Sequence, residues 1–156
     1  ELQKRGVTSK DVIVVCSENT LDAVIPIIAD TFLGAKVSNL DPSLSIRHIK
    51  HLLSLVEQWV IFVQESSIKL IEEYILNNDF QTEIIVFGIS QRYSLFSDFI
   101  KEQENEDEFE PVDLDPEEIA LMFFSSGTTG LPKPICHSNR GYMEIVAQTW
   151  WLHFFL

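Results

Sequence analysis

The stretch DVIVVCSENTLDAVIPIIADTFLGAKVSNLDP, from Asp11 to Pro42, decides the fold. Asp11 to Cys16 is a short β-branched run of the kind that forms a strand buried on both faces. Ser17, Asn19 and Thr20 follow it, all suited to capping a helix N-terminus. From Leu21 to Leu33 the apolar residues Val24, Ile27, Ile28 and Phe32 recur near helical spacing, and Gly34 is a natural stop. Pro26 is expected to bend that helix or to mark a later start. An extended piece then runs into a turn at Asp41 and Pro42.

The same alternation continues outward. Ser43 or Ser45 caps a second helix with Ile46, Ile49, Leu52, Leu53 and Val56 on one face. Trp59 to Val63 reads as a buried strand, and Ser66 or Ser67 starts a helix through Ile71 and Ile75 that Asn77, Asn78 and Asp79 end. Thr82 to Gly88 is a further strand, and YSLFSDFI, Tyr93 to Ile100, a short helix. Strand and helix alternating at this spacing predict βαβ crossovers. The fold class is therefore α/β, a mostly parallel sheet with flanking helices.

Composition narrows the function classes. The 156 residues are 46% apolar, enough for a packed core. Eleven Lys and Arg against 24 Asp and Glu leave a net charge of −13, which disfavours nucleic acid and anionic membrane as partners. Ten of the 24 acids fall between Glu102 and Glu118, where no Lys or Arg occurs. That stretch reads as a solvated, self-repelling loop, with a site for a basic partner or a divalent metal as the competing interpretation. Cys16 and Cys136 form neither a disulfide framework nor a four-ligand metal site, and read as two reduced thiols. No apolar stretch reaches the length of a membrane span, and the first ten residues lack the core of a secretory signal. The chain opens on Glu1 and closes on Trp150, Trp151, Phe154, Phe155 and Leu156, a greasy end that predicts a segment of a longer protein.

The chemistry lies in IALMFFSSGTTGLPKPICHSNR, Ile119 to Arg140. A buried strand, Ile119 to Phe124, runs into Ser125, Ser126, Gly127, Thr128, Thr129 and Gly130, with Lys133 between two prolines shortly after. Two glycines let the backbone approach a ligand closely. Four hydroxyls, successive N–H groups and the lysine charge form a wrapping for an anion, and polyphosphate is the natural guest. The spacing is not that of GxxxxGK[ST], so this is not a P-loop. A bare linker would leave the hydroxyls, glycines and lysine directly after a strand unexplained.

SSGTTGLPK resembles the phosphate-loop signature of the adenylate-forming superfamily, which includes acyl-CoA synthetases, 4-coumarate:CoA ligases and firefly-type luciferases. The usual pattern is [ST]-[SG]-G-[ST]-T-G-x-P-K-G, and nine of its ten positions match. The segment from Val7 to Pro42 is similar to that family's early region as well. The resemblance implies a partial N-terminal AMP-binding domain over residues 1–156, an incomplete part of a larger N-terminal domain, with an acidic loop at 102–118 and a phosphate-binding loop at 125–134. The C-terminal domain would be absent. It implies Mg-ATP and a carboxylic acid as substrates, with coenzyme A as the thiol acceptor in the complete enzyme. The reaction would form an acyl-adenylate and then an acyl thioester. The implied nucleotide-binding residues are Ser125, Ser126, Gly127, Thr128, Thr129, Gly130 and Lys133; catalytic residues and metal ligands are not expected in this segment. An intracellular place, cytoplasmic or peroxisomal, is also implied.

Two positions depart from the family pattern. Pro134 replaces its last glycine, and Asn139 stands where a histidine is common before Arg140. They support the alternative of a degenerate, non-catalytic relative that serves as a binding or structural module. His48 and His51 read as a solvated helical face and not as a metal pair, and Trp150, Trp151 and Phe154 as a core-facing helix.

Overall fold

The computed structural model describes residues 1–75, 82–104, 106–125 and 130–155, with 153–155 through their backbone alone. β-Branched runs form β1 (Val12–Cys16), β3 (Gln58–Gln64) and β4 (Glu83–Phe87), and the extended pieces between and after them form β2 (Lys36–Leu40) and β6 (Ile119–Ser125). A two-residue strand, β5 (Ser94–Leu95), and β7 (Lys133–Ser138) complete the sheet. The order among the described residues is β5-β4-β3-β1-β2-β6-β7, parallel throughout except for the antiparallel pair β6–β7.

Alternation along the central strands fills both faces. Ile13 and Val15 point to one side with Val37, Val60, Phe62 and Ile85. Val14 and Cys16 point to the other with Ile61, Val63 and Val86. The first face is covered by α1 (Leu21–Leu33) and the one-turn α4 (Phe96–Phe99), whose rings stand edge-on to Phe62 at 6.1 and 5.2 Å. The second is covered by α2 (Ile46–Leu53) and α3 (Ile68–Ile75), through Ile49, Leu52, Leu53, Ile71 and Tyr74. The final helix, α5 (Asn139–Phe155), follows β7.

The expected caps are present. Thr20 accepts from the Ala23 N–H at 3.2 Å and Ser45 from the His48 N–H at 3.4 Å. Gly34 closes α1 at φ 70°, and a Cβ there would lie 2.9 Å from Val112 Cγ2, so both backbone and packing require glycine. Asp41 caps its own turn by accepting from the Ser43 N–H at 2.8 Å. The residues expected to end α3, Asn77 to Asp79, lie outside the described residues.

Several expectations are corrected. Helix α1 starts at Leu21 and carries Pro26 inside it, and it buries Ala23, Pro26, Asp30 and Leu33 instead of Val24, Ile28 and Phe32. The helix is apolar nearly all round, so spacing alone does not choose its face; small Ala23 lets the backbone approach the sheet. Tyr93 to Ile100 is not one helix, because Ser94 and Leu95 pair with Ile85 and Val86 at the sheet edge before the helical turn begins. Trp59, at the start of β3, is 41% exposed. Strand β6 is buried on one flank only, where Leu121 and Met122 lie against β2, while Phe123 is exposed. Trp150 and Trp151 are exposed too, and the side chain of Phe154 lies outside the described part.

The acidic stretch is held to the body of the molecule at two places. The Val112 N–H donates to the Phe32 carbonyl at 3.0 Å, and the Val112 and Leu114 side chains sit over Gly34. Further on, the Asn139 N–H donates to the Glu118 carbonyl at 2.9 Å and the Arg140 N–H to the Pro116 carbonyl at 3.0 Å. It is a strap and not a free loop.

Candidate functional site

Strands β1, β2 and β6 are parallel, so their carboxyl ends open at one edge of the sheet, where ligands of α/β folds bind. There β6 turns back into β7. The register pairs Phe123 with Ile135, Phe124 with Pro134 and Ser125 with Lys133. Ser125 and Lys133 therefore face each other at the mouth of the hairpin, on the same side of the sheet. Lys133 is exposed, and no carboxylate of the described residues forms an ion pair with it. Gly130 lies in the connection, and a Cβ placed there would meet nothing within 4 Å, so the backbone has open space on that side. Ser126, Gly127, Thr128 and Thr129 lie outside the described residues. Of the seven expected nucleotide residues, the structure thus places Ser125, Gly130 and Lys133 around one turn.

The loop expected over 125–134 ends inside β7 (Lys133–Ser138). In the structure Pro134 sits within β7, the last strand of the sheet, and an edge strand is where a sheet tolerates a residue lacking an N–H. Ser138 caps α5, its Oγ accepting from the Gly141 N–H at 3.2 Å.

Below the hairpin lies a cavity of about 660 Å³. Its apolar wall is made by Ala23, Ile27, Phe123 and Phe124, with Pro132 closing the hairpin side. Its polar rim comes from the β1–α1 connection (Ser17, Glu18, Asn19) and the end of β2 (Asn39, Asp41). In sequence Asp41 reads only as a turn residue, and the cavity goes unseen. The available signal is that each rim residue lies at or directly after the end of an expected strand.

The rim is held from the neighbouring strand. Gln64, at the end of β3, accepts the Glu18 N–H at 2.8 Å and donates to Ser66 Oγ at 2.9 Å. The Ser43 hydroxyl and N–H hold the Asp41 carboxyl below the usual carboxylate range, so it is an anion at neutral pH. Cys16, beneath the rim, is pushed up to about 12 by burial and, secondarily, by Asp41, so it is no nucleophile. Cys136 is exposed on β7. With Glu18 and Asp41 on the rim, the cleft repels a bare polyphosphate, whereas the hairpin mouth offers a cation. An anion is favoured at the hairpin and a neutral moiety in the cleft.

Asn139 and Arg140 are engaged elsewhere. Asn139 Nδ2 donates to the Asp115 carbonyl at 2.9 Å, and Arg140 Nε donates to Glu117 at 2.9 Å. Both tie the acidic strap to the start of α5. Among the described residues no group of three or more His, Cys, Asp or Glu side chains is arranged to hold a metal, and no helix is long and apolar enough to cross a membrane.

Residues 1–155 match the profile of the AMP-binding enzyme family. The chain belongs to that family. A 4-coumarate–CoA ligase of Nicotiana tabacum is 26% identical over 147 residues, covering 94% of this chain and 27% of the ligase. A luciferin 4-monooxygenase of Nipponoluciola cruciata is 30% identical over 148 residues, covering 88% of this chain and 27% of that enzyme. Among solved structures, a luciferase-like enzyme from the nonluminescent mealworm Zophobas morio is 51% identical with a TM-score of 0.87, over 96% of this chain and 35% of the other. An anthranilate CoA ligase in complex with anthranoyl-AMP is 26% identical with a TM-score of 0.85, over 97% of this chain and 29% of the other. The chain spans about a quarter of the length of the curated relatives it matches.

Proposed function

We propose that the β6–β7 hairpin of this AMP-binding chain holds the phosphate tail of ATP in an enzyme that activates a carboxylic acid as its adenylate and passes the acyl group to a thiol such as coenzyme A. The observation that carries this reading is Lys133, an exposed cation with no carboxylate partner among the described residues, set opposite Ser125 at the end of a strand. Ser125, Ser126, Thr128 and Thr129 would supply hydroxyl donors, Gly127 and Gly130 close backbone approach, and Lys133 the charge. None of them acts as base or nucleophile. Their contribution is electrostatic: the β- and γ-phosphates leave as pyrophosphate, and donors fixed around them stabilise the charge as it develops. Mg²⁺ would share that charge in the complete protein. Residues 125–134 are then the phosphate-binding loop of a partial AMP-binding domain, working in the cytoplasm or peroxisome.

The relatives support the reaction class. The names of two of them state CoA ligation, and one solved relative carries an acyl-adenylate, anthranoyl-AMP. The test is carboxylate-dependent exchange of pyrophosphate into ATP by the full-length protein. The reading expects exchange, and a loss of about tenfold to a hundredfold in Lys133→Ala.

A second reading is favoured by Asn139, whose side chain is engaged with the Asp115 carbonyl and serves the strap. In a non-catalytic relative the hairpin would keep the fold without the chemistry. Absence of exchange with a broad panel of fatty and aromatic acids, alongside intact folding, would favour it.

A further inference from the structure

At the opposite, amino-edge side of the sheet from the hairpin lies a second cavity, of about 490 Å³. Its floor is apolar and largely buried: Leu2, Leu33 and Phe99 are each less than a tenth exposed. Its walls are Phe32, 48% exposed, and Phe109, 40% exposed. Two half-exposed phenylalanines beside a concave apolar floor are the anatomy of an anchor pocket.

The rim is predominantly acidic. Glu104, Glu106 and Glu108 line it, and the acidic run continues through Glu110 and Asp113 beside the exposed Val112. Lys4, which lines the same cavity, is already occupied, donating to Gln103 Oε1 at 3.2 Å and to the Glu104 carbonyl at 3.3 Å. The wall is also fixed in place. The Val112 N–H bond to the Phe32 carbonyl fastens the strap to α1, and a single 3₁₀ turn, Glu106–Glu108, sets the carboxylates over the pocket. A binding surface ordered in advance does not lose that conformational entropy on association.

We propose that this pocket docks a basic peptide segment of a partner protein, inserting an aromatic or large aliphatic side chain between Phe32 and Phe109 while flanking lysines or arginines meet Glu104, Glu106 and Glu108. Charge complementarity selects the occupant: an acidic peptide is repelled, and a neutral apolar ligand leaves the rim unused. The acidic surface runs past the cavity along the strap, which suits an extended segment better than a compact small molecule. The proposal is independent of the nucleotide reading, because the two cavities share no lining residue.

The experiment uses the full-length protein and a fluorescein-labelled Lys-Lys-Trp-Lys-Lys peptide, with Lys-Lys-Ser-Lys-Lys as control, read by fluorescence anisotropy. The proposal expects saturable binding that weakens with salt and is at least about tenfold tighter for the tryptophan peptide. Phe109→Ser, and separately the triple variant E104Q, E106Q and E108Q, should each weaken it by about tenfold or more. All four substituted side chains are exposed, so the variants should keep the parent melting temperature. No saturable binding, equal affinity for the two peptides, or indifference to both variants would overturn the proposal. So would crosslinking that shows another segment of the same chain seated between Phe32 and Phe109.

Discussion

Ser125 and Lys133 are register partners at the last rung of the β6–β7 ladder, so the strand pair sets the backbones that carry a hydroxyl and a cation directly opposite each other. A lysine whose backbone is held in a strand needs less immobilisation when ligand arrives than one on a loose loop. Lys133 is solvent-exposed and pairs with no described carboxylate, so its replacement should leave the fold alone. Lys133→Ala is expected to raise the KM for ATP in the full-length enzyme by about tenfold or more, with thermal stability unchanged. A matching loss of melting temperature would mean that the side chain serves the fold instead.

Pro134 gives a sharper contrast. Its place is in the strand, opposite Phe124 and one residue beyond the mouth, not in the turn. Pro134→Gly should therefore leave ATP affinity within about twofold, while the more flexible glycine lowers stability by about 0.5–1 kcal/mol. Isothermal titration and a melting curve separate the two effects. A large affinity gain would show that the missing N–H had been withheld from phosphate.

Asp30 is buried in α1, and its Oδ1 has no hydrogen-bond partner among the described residues. Burial lifts its carboxyl from the ordinary 3.8 to about 8, only partly offset by Lys36. A raised carboxylate pKa means that the folded state holds the proton more tightly than the unfolded chain. Its contribution is therefore level below the unfolded pKa, falls as pH rises from about 4 to about 8, and levels again above that. Within this window the slope approaches about 1.4 kcal/mol per pH unit. Asp30→Asn removes the titration. In urea unfolding at about pH 5, 7 and 9, the variant is expected to gain on the parent between the first two and to gain again, by a smaller step, between the second and third. Parallel stability curves for the two proteins would contradict this.

Asn139 and Arg140 divide the anchoring of the strap unequally. The Asn139 amide bond to the Asp115 carbonyl ties backbone to helix, and Asn139→Ala should cost about 1 kcal/mol and speed amide exchange across residues 113–118. Arg140 and Glu117 form an ion pair with both side chains more than half exposed, so Arg140→Ala should change stability by less than about 0.5 kcal/mol. Equal effects from the two substitutions would overturn that ranking.

The parallel core is legible in sequence because β1, β3 and β4 are β-branched runs and the helices between strands open on cap residues whose hydrogen bonds are local. Thr20, Gly34, Asp41 and Ser45 act within a few residues of themselves, and each can be read where it stands. What escapes depends on partners far along the chain. The face of α1 cannot be read, since Val24, Ile28 and Phe32 look as buriable as Ala23 and Leu33, and only contact with the sheet decides. The strand at Lys133 to Ser138 contains a proline and alternates weakly, so nothing local announces that it pairs with β6. The strap escapes for the same reason: its ten acids describe a solvated surface correctly, but Val112 and Leu114 anchor it by packing over Gly34. The candidate site is half legible. The hydroxyl-rich turn and its lysine stand out, while the cavity beneath emerges only when the ends of β1, β2 and β6 are brought side by side.

Whether the hairpin grips phosphate is tested most directly by lysine footprinting of the full-length protein with and without ATP. Lys10, Lys69 and Lys101, distant along the chain and outside the hairpin, serve as internal controls for acetylation. ATP should protect Lys133 selectively, and inorganic pyrophosphate should protect it as well. Saturating ATP that leaves Lys133 as reactive as the control lysines would contradict the assignment.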